Sequence, residues 1–198
     1  MTYPALVRAF ANNDTLPIPV DAVLRWIREN TPHIDIRLYP VARHKKAFRG
    51  AYRRLGVPVG MYTHDFEIVN QVLYGEDLPP EWKRLVIVKE ILHVFDSHQV
   101  NTPDAVRKLI PAVITPELRT ASPFAPVIDD FLGTYRAMAV LLPRRARRRL
   151  KQAIDADKRT STEIADYAQL PDYYVDIWLD VADEVEDQLC GTSLVVRE

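Results

Sequence analysis

Residues 84–95 constrain this chain more than any other segment. They include Leu85, Val86, Ile87, Val88, Ile91, Leu92, Val94 and Phe95, with aliphatic groups on almost every side. A helix that is apolar nearly all round is a buried helix, so other elements must cover it from several directions. Within it stand Lys89, Glu90 and His93, with Asp96 and Ser97 following. Lys89 and His93 differ by about 40° around a helix and share a face. Ionisable groups in such a place are costly unless partnered. The segment therefore calls for either a site or an internal ion-pair network.

The flanking sequence indicates what could cover it. Residues 21–29 predict a helix with Val20, Val23, Leu24 and Ile27 on one face. Residues 34–38 alternate apolar and polar, as a half-buried strand does. Further extended regions run over 48–52 and, past Gly60, over 61–63 and 66–70. Together they predict a small, mostly antiparallel sheet that ends before Pro79-Pro80. The remainder reads as helical, with segments at 101–110, 127–142 and 144–156. Ile128, Phe131, Leu132, Tyr135, Met138 and Leu142 recur at helical spacing in the second of these. Thr160 to Glu163 resembles a capping box that opens a short helix. A last helix follows Leu170-Pro171-Asp172 and turns Val175, Trp178, Ala182, Val185 and Leu189 inward, with Gly191 as its C-cap. The order predicts an α+β fold. Residues 1–143 form the main domain, and 144–198 a C-terminal helical segment packed on it.

Composition excludes several classes. With 47% hydrophobic residues in 198, the chain can bury a real core. A net charge of −1 demands neither nucleic acid nor an acidic substrate. The single cysteine, Cys190, forms no internal disulfide and suits a reducing, cytoplasmic setting. No signal peptide is predicted at the N-terminus. No segment approaches the roughly 18 apolar residues of a membrane span, so no membrane partner is expected.

Lys89-Glu90-Ile91-Leu92-His93 differs by one residue from His-Glu-x-x-His. In that motif two histidines on successive turns bind zinc and the glutamate activates the metal-bound water. Taken alone, Glu90 and His93 are equally a structural pair satisfied inside the core. The wider order resembles the ImmA/IrrE metallopeptidase family, with a helix, a small sheet ending in a strand such as Ile68-Val69-Asn70, and then the motif helix. In that family a later helix supplies an acidic ligand and closes on a Leu-Leu-Met-Pro-like run. Leu141-Leu142-Pro143 resembles that run, with Ala137 upstream, and residues 160–179 resemble the family's ending. The likeness extends from about residue 19 to 180. It implies a zincin-like fold, with Glu90 as the general base of an active enzyme, His93 as a metal ligand and Asp130 in the place of the family's glutamate ligand.

Two departures bear on activity. Asp130 is one methylene shorter than glutamate. Lys89 stands where a histidine ligand belongs, and an ammonium has no lone pair to give a metal. Lys89 is thus expected to replace the metal as a counter-ion to Glu90 and Asp130, so that no cofactor is expected. His98 is an alternative ligand only if the helix ends near Asp96, because five residues on a continuous helix turn it about 140° away from His93. His33, His44 and His64 have no spacing that ties them to the motif.

The tail carries Arg144, Arg145, Arg147, Arg148, Arg149 and Lys151, followed by helices around a proline turn. This invites a DNA-binding reading. The would-be recognition helix, however, holds Asp172, Asp176, Asp180, Asp183, Glu184, Glu186 and Asp187 and no Lys or Arg, a surface that phosphate would repel. The basic and acidic helices are instead expected to pair, or to be solvated. Family members commonly regulate by cleaving or inactivating helix-turn-helix repressors in phage, mobile-element or stress circuits. The resemblance therefore implies regulation by protein contact. Three functions follow: a non-catalytic pseudo-metallopeptidase, an active zinc endopeptidase with an unusual ligand set, and a DNA-binding regulator.

Overall fold

The computed structural model describes residues 2–42, 49–58, 66–96 and 125–190, with 58, 66 and 125–131 described by backbone alone. Helix α1 (Tyr3–Phe10) and helix α2 (Val20–Asn30) lead into strand β1 (Ile36–Val41). Strands β2 (Gly50–Pro58) and β3 (Phe66–Gly75) complete a sheet of order β1-β3-β2. Helix α3 (Pro80–Ile91) follows and tightens into a 3₁₀ turn at Leu92–Phe95. Helices α4 (Ala125–Leu141), α5 (Arg144–Asp155), α6 (Ser161–Ala168) and α7 (Asp172–Leu189) make up the rest. The fold is α+β.

The sheet is mixed. β2 and β3 pair antiparallel from Gly50↔Tyr74 to Pro58↔Phe66. β1 runs parallel to β3, from Ile36↔Asn70 to Val41↔Gly75, in departure from a mostly antiparallel sheet. Register of this kind is set by non-local pairing, which short alternating runs do not encode. Helix α1 was not predicted. Pro4 opens it, and its buried Tyr3, Leu6, Val7 and Phe10 contribute to the core.

Pro80 pre-sets the first turn of α3, and Glu81 suits the positive end of the helix dipole. Leu85, Val86, Ile87, Val88 and Ile91 are all buried, as an apolar helix requires. The sheet covers one side of α3 and α4 another. The predicted core residues Leu132, Tyr135 and Met138 of α4, and Leu142 just after it, are buried; Ile128 and Phe131 have side chains outside the description. Predicted segments 61–63 and 101–110, and Gly191, lie outside the described residues.

The tail joins the same core. Trp178 is fully buried, tilts against Tyr135 at 5.9 Å and donates from Nε1 to the Leu142 carbonyl at 3.4 Å. The basic helix α5 pairs with the acidic α7, the first of the two arrangements the charge pattern allowed. Arg147, 1% exposed, reaches Asp183 and Glu186 at 2.9 Å each, and Arg144 reaches Glu186 at 3.2 Å and Asp187 at 2.8 Å. The capping box is formed: Thr160 Oγ1 accepts from the Glu163 amide, and the Glu163 carboxylate accepts from the Thr160 amide. No helix among the described residues is long and apolar enough to cross a membrane.

Candidate functional site

The altered motif closes into a chain of charges at the C-terminal end of α3. Lys89 Nζ lies 2.9 Å from Glu90 Oε1, with the Glu90 side chain 4% exposed and that of Lys89 13%. Glu90 Oε2 faces His93 Nε2 at 3.6 Å, within ion-pair range but too far for a hydrogen bond. His93 Nδ1 meets Asp96 Oδ2 at 2.6 Å, and Arg136 from α4 reaches Asp96 Oδ1 at 2.7 Å. Burial alone would raise the Asp96 carboxyl, but the hydrogen bond with His93 and the charge of Arg136 outweigh it and hold it below the usual range. Asp96 is therefore the carboxylate, and His93 Nδ1–H donates to it. The stripe from Lys89 to Asp96 is thus one cluster, with Ser97 outside the description.

The sheet fixes the imidazole from the other side. Tyr52 on β2 stacks on His93, ring centres 5.7 Å apart and 26° between planes. Its hydroxyl donates to Asn70 Oδ1 at 2.7 Å, and the Asn70 amide nitrogen donates to the Asp35 carbonyl at 3.2 Å. Burial raises the Tyr52 pKa, so the phenol stays a neutral donor. Asn70 is itself 1% exposed. Sequence reasoning placed Asn70 at the end of a strand but gave neither it nor Tyr52 or Arg136 a role at the site, because no spacing links three elements that meet only in the fold.

Close approach of backbone completes the arrangement. A Cβ on Gly50 would lie 2.5 Å from Val86 Cγ1 and 3.0 Å from Glu90 Oε1, so β2 lies directly over Glu90 because residue 50 lacks a side chain. On α4, a Cβ on Gly133 would lie 3.1 Å from Lys89 Cγ. Lys89, His93, Gly133 and Arg136 help line a small cavity of about 70 Å³. Asp130 belongs to α4, three residues before Gly133, but its side chain lies outside the described residues. His98, His44 and His64 are also outside them, and His33 lines a neighbouring pocket with Arg54 that takes in Asp96 and Arg136 of the cluster. The backbone leaves the helix at Asp96, with φ −69° and ψ 115°, which meets the condition set for His98.

The described donors do not by themselves make up a zinc ligand set. A catalytic zinc takes three protein ligands and a water. Here an ammonium stands where a His-Glu-x-x-His motif would have its first histidine, Glu90 is engaged by Lys89 and His93, and His93 is the cluster's one described imidazole. Among the described residues no three His, Cys, Asp or Glu side chains form a group suited to a metal. Among the described residues, Lys89 pairs with Glu90 and Arg136 with Asp96, one ion pair on either side of His93. Comparison with protein-family models, curated proteins and solved structures finds no match.

Proposed function

We propose that the chain is a non-catalytic, zincin-like relative of the ImmA/IrrE metallopeptidases that regulates by contact with a protein partner. The resemblance names a helix-turn-helix repressor as the class of partner. The observation that carries the reading is the 2.9 Å contact between Lys89 Nζ and Glu90 Oε1. In an active enzyme that carboxylate would act on a metal-bound water. Here its charge is met by a side chain of the same helix, an ammonium that takes the role a metal cation would otherwise play beside Glu90. The order of elements, with a small sheet preceding the motif helix and α4 lying across it, supports the resemblance.

Zinc per chain, measured by mass spectrometry on protein purified without chelator or metal-binding tag, tests the reading. Wild type is expected to hold far less than one zinc, and Lys89→His to take up close to one. Near-unit zinc in wild type would favour the active-peptidase reading with His98 as a replacement ligand, for which the helix end at Asp96 leaves room. No zinc in either protein would reduce the resemblance to one of fold. The DNA-binding reading loses support because Arg144 and Arg147 are held by Asp183, Glu186 and Asp187 rather than presented to a phosphate.

A further inference from the structure

At the other end of α3 from Lys89, its first turn and the α6–α7 turn enclose a groove of about 600 Å³, within the size range of ligand sites. Glu81, Trp82, Asp166, Leu170, Asp172 and Tyr173 line it. Its described lining includes three carboxylates and no lysine or arginine. Tyr173 is 58% exposed, with its ring set edge-to-face against Tyr174 at 5.3 Å. Thr162 donates to Asp172 Oδ2 at 3.2 Å and orients that carboxylate.

We propose that this groove docks an arginine-bearing segment of a partner protein. The chain already places guanidinium groups on aromatic faces nearby. Arg49 sits 4.5 Å above Trp82, from the side of a neighbouring cavity, and Arg159 sits 5.6 Å above Tyr167. Among the described residues no cation lies over Tyr173, although its ring adjoins the carboxylates. An aromatic face attracts a cation through its quadrupole, and the carboxylates attract it by charge. A guanidinium uses both at once, stacking on the ring and donating to a carboxylate through its planar fork, which an ammonium does less well. The groove shares no residue with the Lys89 cluster, so the two readings stand or fall separately.

The test uses the full-length protein, labelled with nitrogen-15. The chain has three tryptophans, giving three indole N–H signals, which a Trp82→Phe variant assigns. The probe is the blocked peptide Gly-Arg-Leu-Arg-Gly, with its citrulline counterpart as the neutral control. The arginine peptide should shift the Trp82 signal saturably while the signal of buried Trp178 stays in place. Glu81→Gln combined with Asp166→Asn should weaken binding about five-fold, as two exposed ion pairs imply, with an unmoved Trp178 signal showing an intact fold. No shift of Trp82, or an equal shift with the citrulline peptide, would overturn the proposal. So would a Trp82 signal that moves on diluting the protein alone, because the occupant would then be a second copy of the chain.

Discussion

Lys89 sets the charge of the buried end of α3. Replacing it by alanine leaves Glu90, 3% exposed, without its nearest counter-ion. We expect Lys89→Ala to destabilise the fold by about 1–3 kcal/mol, read by urea unfolding, from the cost of leaving a buried charge-assisted contact unmade. A loss within error would mean that the ammonium is not the group that stabilises Glu90. At this scale the sequence was informative where chemistry is local. The spacing of Lys89, Glu90 and His93 announced a shared cluster, and Asp96 continued it. Tyr52 and Arg136 were illegible because their roles depend on which strand and which helix arrive beside His93. Gly50 was illegible for the same reason, since its lack of a side chain matters only once β2 lies over Glu90.

Among elements, the helices were more legible than the sheet. The capping box of α6 and the inward stripe of α7 depend on contacts three or four residues apart. The parallel β1–β3 pairing joins Ile36 to Asn70 and has no local signature. The motif helix began earlier than its apolar run suggested, because Pro80 is compatible with a first turn, and it ended in a 3₁₀ turn. The α5–α7 interface yields two predictions. Arg147→Ala leaves Glu186 in the interior with Arg144 alone, at 3.2 Å, and should cost about 2–3 kcal/mol in chemical denaturation, whereas replacing both Arg147 and Glu186 by apolar residues of similar volume should cost less. Asp183 behaves differently. Burial raises its carboxyl, but the hydrogen bond and charge of Arg147, with Arg148 and Arg144, outweigh this and hold it low. A depressed carboxylate contributes stability above its unfolded value, and that stability disappears as pH falls through the folded value. Asp183→Asn should therefore lose less Tm than wild type on acidification below about pH 4. An identical acid profile would show that the pair contributes nothing there.

For the molecule as a whole, α3 is the axis on which both proposed surfaces depend. Its C-terminal end holds the altered motif between the sheet and α4, and its N-terminal end forms one wall of the acidic groove. Among the described residues, ion pairs engage the carboxylates at the first, while the lining of the second holds carboxylates and no lysine or arginine. The central claim is that Lys89 takes the place of a metal, and linkage between zinc and stability tests it most directly. A ligand that binds the native state raises its stability in proportion to the logarithm of its concentration above Kd. The measurement is Tm by calorimetry for wild type and Lys89→His, each with chelator and with a slight excess of zinc. The wild-type Tm should be indifferent to zinc, whereas zinc should raise that of Lys89→His by several degrees. A wild-type Tm that rises with one equivalent of zinc would contradict the claim.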